Sequence, residues 1–153
     1  MSLFAWDATY SVGIPHIDEQ HEKLVSYINK LHQAMLRDEE DNVTGKILNE
    51  LTNYIKNHFA GEEELMVRSG FSNYDVTTRH QYDRHKMEHA EFTRKITDMI
   101  RKHYESKEYI SVDLLTYLVE WLLNHIASID KQYATFIKNS GQTGCDHPAP
   151  IIT

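Results

Sequence analysis

The sequence predicts an all-α fold, an up-down-up-down antiparallel four-helix bundle entered by an extended N-terminal arm. Three observations carry this. Four long segments repeat apolar residues at three- and four-residue intervals, the period of one buried helical face. Glycine and proline, the helix breakers, number only six and three in 153 residues. The segments are joined by short polar connections, and helices so joined pack as antiparallel neighbours.

Residues 1–17 read as the arm. Gly13 and Pro15 disfavour helix there, while Trp6, Tyr10, Val12 and Ile14 offer apolar anchors for a flap over one face of the core. The bundle is expected over residues 18–138. Its first helix starts near Asp18, a good N-cap, and runs to about Leu36, with Ile17, His21, Leu24, Ile28, Leu31 and Met35 on one face. Arg37 to Asn42 is charged and loop-like. The second helix runs from about Val43 to Arg68, with Ile47, Leu48, Leu51, Tyr54, Ile55, His58, Glu62, Leu65 and Met66 inward, and Ser69-Gly70 stops it. Residues 71–78 form a connection in which Thr77 or Thr78 could cap the next helix. The third runs from about Arg79 to Tyr104, with Tyr82, His85, His89, Phe92, Ile96, Met99 and Ile100 inward. A polar link, Glu105 to Tyr109, leads to a fourth helix capped by Ser111 and ending near Lys138. Its core-side candidates are Leu114, Leu118, Trp121, Leu122, His125, Ile129, Tyr133 and Phe136. Residues 139–153 read as an irregular tail, and the whole length suits one domain.

Composition excludes several function classes. A net charge of −7 argues against a nucleic-acid partner, because neutralising phosphates needs a basic surface. It also argues against an anionic membrane surface, and the richest apolar run, Leu114 to Leu123, is interrupted by Glu120 and too short to span a bilayer. The N-terminus shows no basic region followed by an apolar stretch, so no signal peptide is expected. The single cysteine, Cys145, permits no intrachain disulfide, and a cytoplasmic location follows as the default. Ten histidines are the anomaly.

Five of those histidines lie on inward stripes. His58 and Glu62 are four residues apart, one helical turn, so both leave the same face. His85 and His89 repeat that spacing; His21 lies in the first apolar stripe, and His125 and Asp130 lie near the end of the fourth helix. Five buried imidazoles and two buried carboxylates are hard to satisfy by hydrogen bonds alone. Two divalent cations resolve the problem. If Glu62 and Asp130 bridge and a hydroxide or oxide also bridges, then His85, His89 and His125 complete six ligands at one metal. His21 and His58 leave the other at five, with one open position for a small ligand. The imidazole-rich set favours reversible binding of O2 over cleavage of its bond. His125 and Asp130 are five apart, about 140° around a regular helix. Either they straddle the site from adjacent turns or the helix carries a π-type bulge. His16, His32, His80, His103 and His147 fall in predicted loops, ends or outward faces. Of the Glu62-Glu63-Glu64 run only Glu62 is expected to leave the solvated face, and Gly61 beside it answers equally to a close helix approach or to drift.

In order, Asp18-Glu19-Gln20-His21, His58-Phe59-x-x-Glu62-Glu63-x-x-Met66, His85-x-x-x-His89-x-x-Phe92 and His125-x-x-x-x-Asp130 resemble the hemerythrin family, specifically its single-domain bacterial members. The arm Trp6-Asp7-x-x-Tyr10-Ser11-Val12-Gly13-Ile14 is similar to that family's entry segment. The resemblance implies a non-haem di-iron centre with an oxo or hydroxo bridge that binds dioxygen reversibly at a five-coordinate iron. It implies that His21 and His58 hold the O2-accepting iron, that His85, His89 and His125 hold the other, and that Glu62 and Asp130 bridge them. It carries the apolar dioxygen pocket onto Leu24, Phe59, Trp121, Leu122 and Ile126. The stretch between Glu62 and His85 departs from the family by about two extra helical turns and contains His80. Iron enters through the resemblance, since zinc or manganese also suits these ligands. The expected role is O2 storage, delivery or sensing without turnover. The alternative is a di-iron enzyme such as a peroxidase, an NO-handling enzyme or a ferroxidase. A separate protein partner leaves no mark in the sequence.

Overall fold

The computed structural model describes residues 4–37, 41–106 and 112–140. The expected cap Ser111, the side chains of His103 and of the expected core residue Leu114, and Cys145 and His147 lie outside that description. Helix α1 spans Pro15–Leu36, α2 Asp41–Arg68 and α3 Val76–Ser106. The fourth helix is continuous in three parts: α4 Val112–Asn124, a π-helical turn His125–Ile129, and α5 Asp130–Asn139. Short 3-10 turns occur at Ala8–Tyr10 and Phe71–Asn73, and the described residues contain no strand. The fold is an antiparallel four-helix bundle: α1 packs on α2 and α4, and α2 on α3. No described helix is long and apolar enough to cross a membrane.

Two helix starts differ from the sequence reading. α1 begins at Pro15, three residues before Asp18, because a proline at the first helical position has its φ already set and loses no hydrogen bond. Asp18 therefore sits inside the first turn. Its carboxylate turns back to the arm, accepting from the Val12 amide at 2.8 Å and the Ser11 hydroxyl at 2.5 Å. α3 begins at Val76 and is capped by Asp75, whose carboxylate accepts from the Thr78 amide at 2.8 Å. The Thr78 hydroxyl accepts in return from the Asp75 amide at 3.0 Å, so Thr78 is the reciprocal partner and not the cap. α2 stops as expected: Gly70 takes a left-handed φ of 88° that only glycine adopts freely.

The apolar stripes meet in two layers. Leu24, Ile28 and Leu31, with Leu48, Leu51 and Ile55, Phe92 and Ile96, and Leu115 and Leu118, fill one end of the bundle. Leu65, Met66, Phe71, Tyr133 and Ile137 fill the other, and Val12 and Ile14 of the arm belong to the same buried core. Each fully buried aliphatic side chain contributes roughly 1.5–3 kcal/mol, so the layers hold the four rods in fixed register. Along α2 and the fourth helix the metal-ligand candidates fall between the two layers.

Candidate metal centre

All seven predicted ligands are buried, and they converge. Five ligand atoms from Glu62, His85, His89, His125 and Asp130 lie within 4.8 Å of one another, and so do four from His21, His58, Glu62 and Asp130. The two carboxylates belong to both groups, which is the arrangement of a bridge. Asp130 turns one oxygen to each side: Oδ1 is 3.0 Å from the Nε2 atoms of His85 and His125, and Oδ2 is 3.1 Å from that of His21. Glu62 Oε1 lies 3.3 Å from the Nε2 atoms of both His58 and His89.

The π-helical turn makes this convergence possible. The Asp130 amide donates to the His125 carbonyl five residues back. One residue is thereby absorbed into the turn, and the two side chains leave the same face. The bulge, of the two alternatives left open by the five-residue spacing, is the one found.

The donor set fits cations. Nε2 atoms face each other at 3.1 Å in the pairs His21–His58, His85–His125 and His89–His125. An ion bonded to two nitrogens at right angles at about 2.1 Å would hold them about 3.0 Å apart. Glu62 Oε1 and both oxygens of Asp130 are buried and accept no hydrogen bond among the described residues. Three imidazoles are turned inward by their outer nitrogens: His58 Nδ1 is 2.5 Å from Gln20 Oε1, His89 Nδ1 2.8 Å from Glu63 Oε2, and His125 Nδ1 3.1 Å from Glu88 Oε1. With Nδ1–H donated outward, the lone pair on Nε2 is left for a metal.

Without a cation, protons take the site. Burial pushes the His21 and His125 pKa values down, yet the Asp130 and Glu62 carboxylates, joined at His125 by Glu88, outweigh it and raise them to about 9 and about 10. Burial and the charge of Glu62 push Asp130 up, but His125 and His21 hold it well below the usual carboxylate range. Burial, then the Glu62 and Asp130 charges, push the Tyr133 phenol far up, so it stays protonated and donates to Glu62 Oε2 at 2.6 Å.

Sequence reasoning missed four contacts. Gln20, Glu63 and Glu88 each adjoin a ligand in sequence, and that adjacency is the signal that could have found them. Glu63 was assigned to the solvated face but is half-buried against His89. Tyr133 was expected only as core. His16 and His32 are half-buried and His80 exposed, and none joins the cluster. The longer connection before His85 is absorbed by the Phe71–Asn73 turn and the early start of α3.

Leu24, Leu122 and Ile126 are buried, as is Phe59, while Trp121 is half-buried. Phe59 lies parallel on His89 with centroids 3.7 Å apart, and also 5.9 Å from His58. Trp121 stacks on His125 at 4.6 Å and on Phe92 at 4.0 Å. Both rings thus cover the three-histidine group, and Phe59 also reaches His58 of the two-histidine group. Trp6 of the arm lies 6.4 Å from His21.

Residues 12–137 match the Hemerythrin HHE cation binding domain. The chain is 33% identical over 138 residues to a bacteriohemerythrin of Stenotrophomonas maltophilia, covering 90% of this chain and 84% of that protein. It is 28% identical over 134 residues to a bacteriohemerythrin of Methylococcus capsulatus, covering 87% and 95%. The crystal structure of a wild-type hemerythrin superposes with a TM-score of 0.77 at 27% identity, over 88% of this chain and 97% of that one. The match spans all four helices and every residue of the cluster, and the chain belongs to the hemerythrin family.

Proposed function

We propose that the chain binds dioxygen reversibly, without turnover, at a di-iron centre held by these seven residues. The observation that supports this best is the split of the donor set. Two shared carboxylates and five imidazoles divide three and two, which leaves one metal position a ligand short. His85, His89 and His125 would hold the filled position, His21 and His58 the open one, and Glu62 and Asp130 would bridge. When bound, two iron ions with an oxo or hydroxo bridge supply the two electrons that dioxygen takes up on binding and gives back on release.

The chain's own residues do the rest. Gln20, Glu63 and Glu88 hold three imidazoles in the required tautomer and direction. Tyr133 fixes one oxygen of Glu62 by its hydrogen bond. Leu24, Phe59, Leu122 and Ile126 are buried hydrocarbon, and together with Trp121 they would keep water and charge away from the centre. That exclusion favours release of neutral dioxygen over loss of a protonated, reduced product.

The deciding experiment is an anaerobic reduction of the iron-loaded protein, followed by air and then by removal of O2. A visible charge-transfer band should appear in air and vanish on deoxygenation over repeated cycles. A band that never forms, or a single irreversible oxidation, rejects the proposal. Steady consumption of added hydrogen peroxide or nitric oxide would favour the enzymatic alternative.

A further inference from the structure

The three outer contacts to the imidazoles are unequal in charge. Each comes from the residue beside a ligand on another helix: Gln20 precedes His21 on α1 and reaches His58 on α2, Glu63 follows Glu62 on α2 and reaches His89 on α3, and Glu88 precedes His89 on α3 and reaches His125 on the fourth helix. The pattern runs round the bundle, but the acceptors differ. The two at the three-histidine position are carboxylates. The one at the two-histidine position is a neutral amide, and one imidazole on each side, His21 and His85, has no hydrogen-bond partner at Nδ1 among the described residues.

A carboxylate that accepts the Nδ1–H pushes electron density through the ring to Nε2 and strengthens its bond to a cation. An amide oxygen does so far less. We infer that the two metal positions differ in affinity, that the three-histidine position fills first and empties last, and that Glu63 and Glu88 are the positioning residues that set this order. The inference rests on the reading that the cluster holds two metal ions and adds an order to it. Glu63 has the larger share. Its bond to His89 is the shorter, 2.8 against 3.1 Å, and the second oxygen of Glu88 is drawn to Arg84 Nε at 3.1 Å.

The test loads the full chain with cobalt(II) and equilibrates it against graded chelator, reading d–d absorption and bound metal. Release in two resolved steps is expected. Glu63→Gln and Glu88→Gln keep an acceptor oxygen and remove the charge. Each should weaken the tighter step by about 10–100-fold, Glu63→Gln more, with the looser step unchanged. Gln20→Glu should tighten the looser step and narrow the gap. One-step release in the parent, or parental constants in both glutamine variants, overturns the inference. If those variants fail to fold, by far-ultraviolet circular dichroism, Gln20→Glu decides alone, and an unchanged gap is the overturning result. A parent that binds no cobalt rejects the metal reading itself. Two-step cobalt release beside an iron form indifferent to O2 rejects the dioxygen reading and leaves this inference standing.

Discussion

The Asp130 amide donates to the His125 carbonyl, five residues back, while the Asp130 carboxylate lies 3.0 Å from the His125 imidazole. The backbone irregularity and the ligand pair are one feature. A regular helix over the same residues would turn Asp130 about 140° from His125 and point one of them out of the bundle.

This makes the π turn separable from the ligands. Ala127 is exposed within it. Deleting Ala127 leaves His125 and Asp130 four apart, about 40° past one full turn of regular helix, so both still face inward. The deletion variant should therefore retain bound metal near the parental level. Inserting an alanine after Ala127 should rotate Asp130 away and abolish tight binding. Metal analysis of both proteins checks this, and loss of metal in the deletion variant would contradict it.

His58→Ala removes one of only two imidazoles at the smaller group, and Glu62→Ala removes a shared carboxylate. Both variants should lose iron clearly, Glu62→Ala from both positions. Retention of two irons by each would disprove the ligand assignment.

The metal-stripped chain should have a distinctive pH dependence. His21 and His125 titrate in the folded state at about 9 and about 10, above the ordinary value near 6.5, and His85 is raised as well. A raised histidine adds stability below its unfolded pKa and loses it as pH rises through the folded one. Glu62 and Asp130 are depressed, so their contribution is present above about pH 4.5 and lost on acidification. Stripped protein should be most stable between about pH 4.5 and 6.5 and weaken steadily toward pH 10. Loaded protein, whose imidazoles are already neutral ligands, should lack the alkaline decline and be the more stable form throughout that range. Denaturant midpoints at pH 5.5, 7.5 and 9 distinguish the two curves, and parallel curves would count against the coupling.

Gly61 sits in α2 next to Glu62, and a Cβ built on it meets nothing within 4 Å. No close helix approach requires it. Gly61→Ala should therefore stabilise the protein by about 0.5–1 kcal/mol without changing metal content. Thermal unfolding is the measure, and a lower midpoint would reveal a constraint at this position.

Leu24→Ala and Trp121→Ala open the hydrocarbon wall without removing a ligand. Each should keep iron near the parental level and autoxidise faster after exposure to O2. Truncation of such core residues costs roughly 2–5 kcal/mol, so far-ultraviolet circular dichroism must first show the fold intact. Parental autoxidation rates in both would make these residues ordinary core.

What the chain determined by itself is the set of contacts that repeat along one helix. A period of 3.6 residues puts His58 above Glu62 and His85 above His89, and it lines Leu24, Ile28 and Leu31 beside His21, whatever the neighbours do. That local regularity made the bundle and the inward placement of His21, His58, Glu62, His85 and His89 legible. Tertiary structure decided what depends on rotation and register between helices. Gln20, Glu63 and Glu88 lie off the inward stripes of their own helices, so the helical period alone does not mark them as partners. They become imidazole partners only when the next helix arrives at the right height. The course of the chain from His125 to Asp130 was likewise open, because five residues suit either a straddled regular helix or a π turn. The packed alternative won because both side chains then meet His85, and one extra residue in a helix costs less than a buried carboxylate turned away from its partners.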